Sequence, residues 1–279
     1  MKGKQSAVSV LKLLFAAVLL FVTLFPFWNL FLTAVRPAEE MKNGFSMALK
    51  QITWSNFTEL FQVKHFDTAL KNSVINSILA LVLSIFTGLC TAYILARRRF
   101  RFGMKHSLTL WVLLVRVLPP VAFVIPLYTM FSGAGVLGTR IPIVLACVLI
   151  NIPLIIWFML SFFRELPEEI EESGKIDGAT EWQLYLRLVL PLVLPGIAAV
   201  AMLSFIYAWN EYTYSIILTR SPDNYTIPLA LAVLNTEDNV TNFGLVAAGG
   251  ILSFLPIAAF VVFAQRFLIS GLSSGAVKE

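Results

Sequence analysis

Apolar residues fall into six long blocks, about Leu13–Val35, Ser73–Ala96, Ser107–Phe131, Ile141–Phe163, Leu188–Thr219 and Phe243–Leu268. The stretches between them hold most of the charge. A helix rises about 1.5 Å per residue, so each block is long enough to cross about 30 Å of hydrocarbon. The pattern predicts six membrane-spanning helices. Lys2, Lys4 and Lys12 precede the first block, as in a leader peptide, but its apolar run is too long and lacks a small-residue cleavage site. A retained anchor is expected. Two intervening segments exceed simple turns. In residues 36–72, Trp54, Phe57, Leu60 and Phe61 have the spacing of one helical face, predicting a helix along the membrane interface. Residues 164–187 form an unusually polar loop rich in Glu.

Composition agrees with the pattern. Of 279 residues, 58% are hydrophobic and 13% charged, against about 25% charged in a typical soluble domain. A water-soluble enzyme is excluded. The net charge of +5 does not indicate nucleic acid, because Lys and Arg gather at block ends, where they set membrane orientation. With the N-terminus in the cytoplasm, thirteen of them lie inside and seven outside, and Arg97, Arg98, Arg99, Arg101 and Lys105 form the dominant inside cluster. Six spans then place both termini in the cytoplasm. Cys90 and Cys147 sit within apolar blocks and have no metal-ligand spacing. They are expected to be inert packing groups, and no metal site is expected. No internal repeat stands out.

The polar loop has its own local logic. Pro167, Glu168 and Glu169 suit a helix start, since proline tolerates the first turn and acids favour the positive end of the dipole. Asp177-Gly178 is a turn signal that permits positive φ. A second helix is expected from about Ala179 or Thr180, with Pro191 and Pro195 bending the chain into the fifth span. The prediction is a helix–turn–helix at the cytoplasmic surface.

Here the chain resembles the permease subunits of ATP-binding-cassette importers of the carbohydrate, maltose-permease-like, binding-protein-dependent family. Their pattern is Glu-Ala-Ala, three residues, Gly, nine residues, Ile-x-Leu-Pro. It appears here as Glu172-Ser173-Gly174, then Gly178, then Leu188-Val189-Leu190-Pro191, with Ile176-Asp177-Gly178-Ala179-Thr180 a close match between. Trp209-Asn210-Glu211-Tyr212 is similar to a segment of those permeases. So are Arg116-Val117-Leu118-Pro119-Pro120, Ala264-Gln265-Arg266-Phe267 and the glycine-containing tail. The resemblance implies an all-α polytopic fold, a type I importer transmembrane domain with cytoplasmic coupling helices. It implies an anchor and external segment over 1–71 and a permease core over 72–279, with a coupling loop at 164–191 and a cytoplasmic tail. Glu172, Ser173, Gly174, Asp177, Gly178, Leu190 and Pro191 become the expected ATPase-coupling residues. The implied partners are a second permease in a heterodimer, two ATPase subunits, an extracytoplasmic solute-binding protein and a small carbohydrate, in a bacterial inner membrane.

The chain has no G-x-x-x-x-G-K-[ST] phosphate loop, so ATP and Mg are expected on the partner and no cofactor on this chain. Ionisable groups inside spans mark polar paths. Arg116 and Glu211 are such groups, and Trp209, Asn210 and Tyr212 beside Glu211 offer stacking faces and hydrogen bonds suited to a sugar. Together these five residues are the expected substrate path, with bracing of the helix bundle as the competing role. A stand-alone ion-coupled transporter or channel is the alternative function. It would leave the loop unexplained.

Overall fold

The computed structural model describes residues 2–37, 40, 51–97, 107, 110, 112, 114–115, 117–234 and 242–275, with side chains between 9 and 267. Regular structure among these residues is helical: α1 (Lys2–Ala34), α2 (Ser55–Gln62), α3 (Phe66–Arg97), α4 (Pro120–Gly133), α5 (Ile141–Glu165), α6 (Glu168–Ile176), α7 (Glu181–Leu192), α8 (Leu194–Trp209), α9 (Thr213–Leu218), α10 (Ile227–Leu234) and α11 (Phe243–Gly275). Hydrocarbon offers backbone groups no partner, so an apolar chain in it satisfies them within its own helices.

Among the described residues, α1, α3, α5 and α11 are each long and apolar enough to cross a membrane. The entry to the fifth span is bent, as Pro191 and Pro195 lead one to expect, with α7 meeting α8 at 79°; the expected block is broken a second time at Asn210–Tyr212, between α8 and α9. Val193 lies at the 79° bend, between the two prolines that cannot donate to a continuous ladder. In the expected third span Ser107, Leu110, Val112, Leu114, Val115 and Val117 are helical, and after the extended Pro119 a 14-residue helix runs from Pro120. Arg116 lies outside the described residues. Of the six expected spans, the described residues give four, or five if the bent pair is one span, with Pro120–Gly133 a shorter apolar helix.

The chain divides into two compact units, Met1–Asp67 with Ala230–Leu255, and Thr68–Leu229 with Pro256–Glu279. In the first, none of the most apolar stretch of α1 is buried, and the Phe27 and Phe254 rings meet at 5.0 Å. The expected helix at residues 54–61 is α2, with Trp54 and Phe57 rings 5.6 Å apart. Leu60 is buried, but its companion is Asn56, while Trp54 and Phe61 are exposed. Asn56 Nδ2 donates to the Ala34 and Arg36 carbonyls at 2.8 and 2.9 Å. These carbonyls close the end of α1, which has no further helical turn to accept from.

In the second unit, α5 is the central helix, with 67% of its most apolar stretch buried. Leu89 and Ala92 of α3, Ile155, Met159 and Phe163 of α5, and Val200 of α8 share one core. Gly88 and Gly196 permit close approach there: a Cβ on Gly88 would lie 2.7 Å from Ile155 Cγ2, and one on Gly196 would lie 2.8 Å from the Phe162 ring. Small residues bring helices together where lipid supplies no hydrophobic drive between them. At the Asn72 end of α3, Asn72 Nδ2 donates to the Asp223 and Tyr225 carbonyls and Arg140 Nη2 donates to Asn72 Oδ1.

Candidate coupling site and transport path

The α6–α7 hairpin is built by local chemistry. Pro167 is extended and ends α5, and α6 then opens with Glu168, Glu169 and Glu171 in its first turn, where acids oppose the positive end of the dipole. The helix ends in a Schellman arrangement. Ala179 N donates to Gly174 O at 3.0 Å and Gly178 N to Lys175 O at 3.1 Å, with Gly178 at φ +80. Only glycine occupies that conformation at no steric cost. Thr180 starts α7 with a reciprocal capping box, its Oγ1 accepting from Gln183 N and its own N–H donating to Gln183 Oε1.

From Leu184 to Val189, α7 widens into a π-helix. Leu190 N donates to Tyr185 O, five residues back. Pro191 follows at once, and its ring would meet the Arg187 carbonyl in an ordinary α-turn. Gly174 sits beneath this wide turn. A Cβ there would touch Leu184 and lie 2.6 Å from Leu188 Cδ1. Glycine in place of the alanine in the resembled pattern therefore lets the two helices close on each other.

The structure brings the seven expected coupling residues onto this hairpin. Glu172, Ser173, Asp177 and Gly178 are exposed, as are the apolar Ile176 and Trp182, while Gly174 is buried. The acid adjacent to Glu172 behaves differently. Glu171 is 8% exposed, lies 2.6 Å from Arg97 Nε as an ion pair off the N–H axis, and accepts from the Tyr93 hydroxyl at 2.9 Å. Arg97 Nη2 also donates to Leu166 O at 3.0 Å. A cavity of about 800 Å³ opens beside this group, lined by Cys90, Tyr93, Glu171, Glu172, Trp182 and Tyr185 among others. Glu171, Arg97 and Tyr93 were missed from sequence. The one available signal is that Glu171 and Gly174 share a face of α6 opposite Glu169 and Glu172.

Trp209 ends α8, and Asn210–Tyr212 form the gap before α9. Asn210 and Tyr212 are exposed, and with Glu211, Pro120 and Tyr207 they line a cavity of about 330 Å³. Trp209 is buried at 1% exposure, its ring 5.7 Å from Phe205. Glu211 is buried as well. Its Oε1 accepts from Tyr214 N at 2.6 Å, and its Oε2 accepts from Ser215 N at 3.0 Å and from Ser215 Oγ at 3.1 Å. The carboxylate therefore closes the first turn of α9, satisfying donors that have no helical partner. Among the described residues no group of three or more His, Cys, Asp or Glu side chains is placed to hold a metal.

Residues 85–274 match the family described as binding-protein-dependent transport system inner membrane component. The chain is 35% identical, over 95% of its length and 94% of the relative's, to a probable ABC transporter permease protein of Sinorhizobium fredii. It is 32% identical to the trehalose transport system permease protein SugB of Mycobacterium tuberculosis, covering 91% of this chain and 92% of that one. In fold it is similar to a bacterial ABC transporter involved in import of the acidic polysaccharide alginate, with a TM-score of 0.74 and 20% identity over 94% of this chain and 97% of that one.

Proposed function

The chain belongs to the binding-protein-dependent transport system inner membrane components, and on that premise we propose that it carries a sugar, oligosaccharide or polyol inward. It is a membrane permease subunit, and the bond chemistry of ATP belongs to a separate ATPase chain. In the proposed assembly a second, different permease completes the path, two ATPase subunits carry ATP and Mg, and an external binding protein delivers the solute. Both termini face the cytoplasm. Residues 1–71 form the anchor and external segment, and residues 72–279 hold the path, the coupling loop and the tail. The naming of a relative for trehalose supports the substrate class. A stand-alone ion-coupled carrier is not favoured by the family membership.

The observation that carries the mechanism is the α6–α7 hairpin. Its turn is locked by Gly178, and it presents Glu172, Ile176 and Trp182 to a partner. Closure of the ATPase pair on ATP pushes this hairpin, and the hairpin moves the spans it packs against. Directional transport follows when ATP and the loaded binding protein favour different states. The test is reconstitution with the partner subunits and a panel of labelled sugars and polyols. Glu172→Ala and Gly178→Val are each expected to lower ATP-driven uptake by about tenfold or more, the second by straining a left-handed turn. Uptake at the wild-type level with both altered overturns the coupling assignment.

We place the substrate path at Arg116 and the Trp209–Tyr212 segment, supported by the cavity at Asn210 and Tyr212. The bonds of Glu211 and the burial of Trp209 favour bracing for those two. Asn210→Ala and Tyr212→Ala are expected to change the apparent KM or the ranking of competing sugars, read by uptake inhibition. Unchanged kinetics in both would assign the whole segment to bracing.

A further inference from the structure

We infer that Glu171, with Arg97 and Tyr93, is a joint that fastens the coupling hairpin to the second span. This rests on the reading of α6–α7 as the segment met by the ATPase. Exposed Glu172 is available to a partner; Glu171, one residue earlier, is turned inward, with Oε1 in the ion pair to Arg97 and Oε2 accepting from Tyr93. Arg97 and Tyr93 lie one turn apart on the last two turns of α3, so both reach α6 from one face. Arg97 also holds the Leu166 carbonyl, so a single guanidinium ties the end of α3 to both sides of the bend between α5 and α6.

Aromatic packing continues from this point. Trp182 stacks on Tyr185 at 5.6 Å, Tyr185 meets Tyr93 at 4.9 Å, and Tyr93 meets the edge of Phe163 at 5.6 Å. The column runs from an exposed ring on the hairpin to a fully buried one on α5.

The two kinds of contact do different work. Packed rings resist compression, so they pass a push from the hairpin into α3 and α5, but they separate under tension. An ion pair, with the Tyr93 hydroxyl donating to the same carboxylate, also resists separation. With the joint in place, the end of α3 follows the hairpin in both directions, during closure of the ATPase and during its return. Glu171, Arg97 and Tyr93 are positioning residues in this scheme. None of them touches nucleotide or substrate.

The test uses the full complex in lipid, with Cys90 and Cys147 changed to Ala and spin labels on Ile94→Cys and Glu169→Cys, which are exposed sites on α3 and α6. The label-to-label distance is read without nucleotide and with ATP–Mg trapped by vanadate. With the joint intact, one narrow distance is expected in both states. Glu171→Gln leaves Arg97 facing a neutral amide, and the distance is expected to shift or broaden between the two states. Tyr93→Phe removes one hydroxyl, keeps the ion pair, and is expected to give a smaller shift of the same sign.

A distance that already changes between states in the intact protein overturns the joint. So does the absence of any nucleotide-dependent change in both variants, including the case where they merely melt at lower temperature, because that is a structural role alone. Failure of the ATPase to bind the unaltered chain is a separate result, and it overturns the coupling reading together with the joint built on it.

Discussion

Gly88→Ala is expected to destabilise the protein, although alanine is the better helix former by about 1 kcal/mol. The sign reverses because of one contact. The added Cβ would lie 2.7 Å from Ile155 Cγ2 and 2.9 Å from Ile155 Cβ. A flexible side-chain tip could swing aside, but the isoleucine Cβ is one bond from the backbone, and a β-branched side chain in a helix has one strongly preferred rotamer. Relief therefore requires α3 and α5 to separate along the core shared by Leu89, Ala92, Ile155 and Met159. Overpacking of this kind costs about 1–3 kcal/mol, which exceeds the propensity gain. Gly88→Leu should fail to give a monodisperse detergent-solubilised protein. Thermal unfolding of purified Gly88→Ala checks the sign, and a melting temperature at or above wild type would refute the close approach of α3 and α5.

Glu211→Ala is expected to have an effect of similar size through a different cause. Removing the carboxylate strands the Tyr214 and Ser215 N–H groups in a buried site, while the Ser215 hydroxyl keeps the Glu211 carbonyl and still accepts from Thr226 Oγ1. Each unpaired donor costs about 1–3 kcal/mol, partly offset because a buried carboxylate no longer has to be desolvated. A net loss of roughly 3 kcal/mol follows. Glu211→Gln keeps one acceptor oxygen and should fall between wild type and alanine. The readout is the melting temperature of the solubilised protein, set beside sugar competition in the reconstituted complex. Unchanged melting with altered competition would move Glu211 from brace to substrate contact.

Much of the local structure was legible beforehand. Pro167 with Glu168 marks the start of α6, Asp177-Gly178 marks its end, and Thr180 begins α7. Each follows from backbone groups that need a partner within a few residues. The same holds for the bend near Pro191 and Pro195. The second break of the fifth block, at Asn210–Tyr212, was not legible, because apolar composition alone does not distinguish one continuous helix from two. The inward side of α2 was not legible for a related reason. Period and hydrophobicity select Trp54 and Phe61, whereas two carbonyls at the end of α1 select Asn56.

The long-range pairings were beyond reach. Glu171 and Glu172 are adjacent and chemically identical, yet one is buried against Arg97 and Tyr93 while the other faces outward. In sequence Arg97 belongs to a run of basic residues whose evident task is orientation; in the structure it also holds Glu171 and Leu166. Glu211 sits in an apolar block as an apparent path residue, and its nearest partners turn out to be three and four residues ahead.

What the sequence by itself determined is a membrane permease with long apolar helices and a capped polar hairpin after α5. These depend on burial of apolar length, placement of charge and capping within one turn, all local quantities. Only the tertiary structure decided which acid is free to meet a partner and which is fastened inside. That choice depends on how α3, α5 and α6 approach one another, and such an approach is set by side chains nearly eighty residues apart.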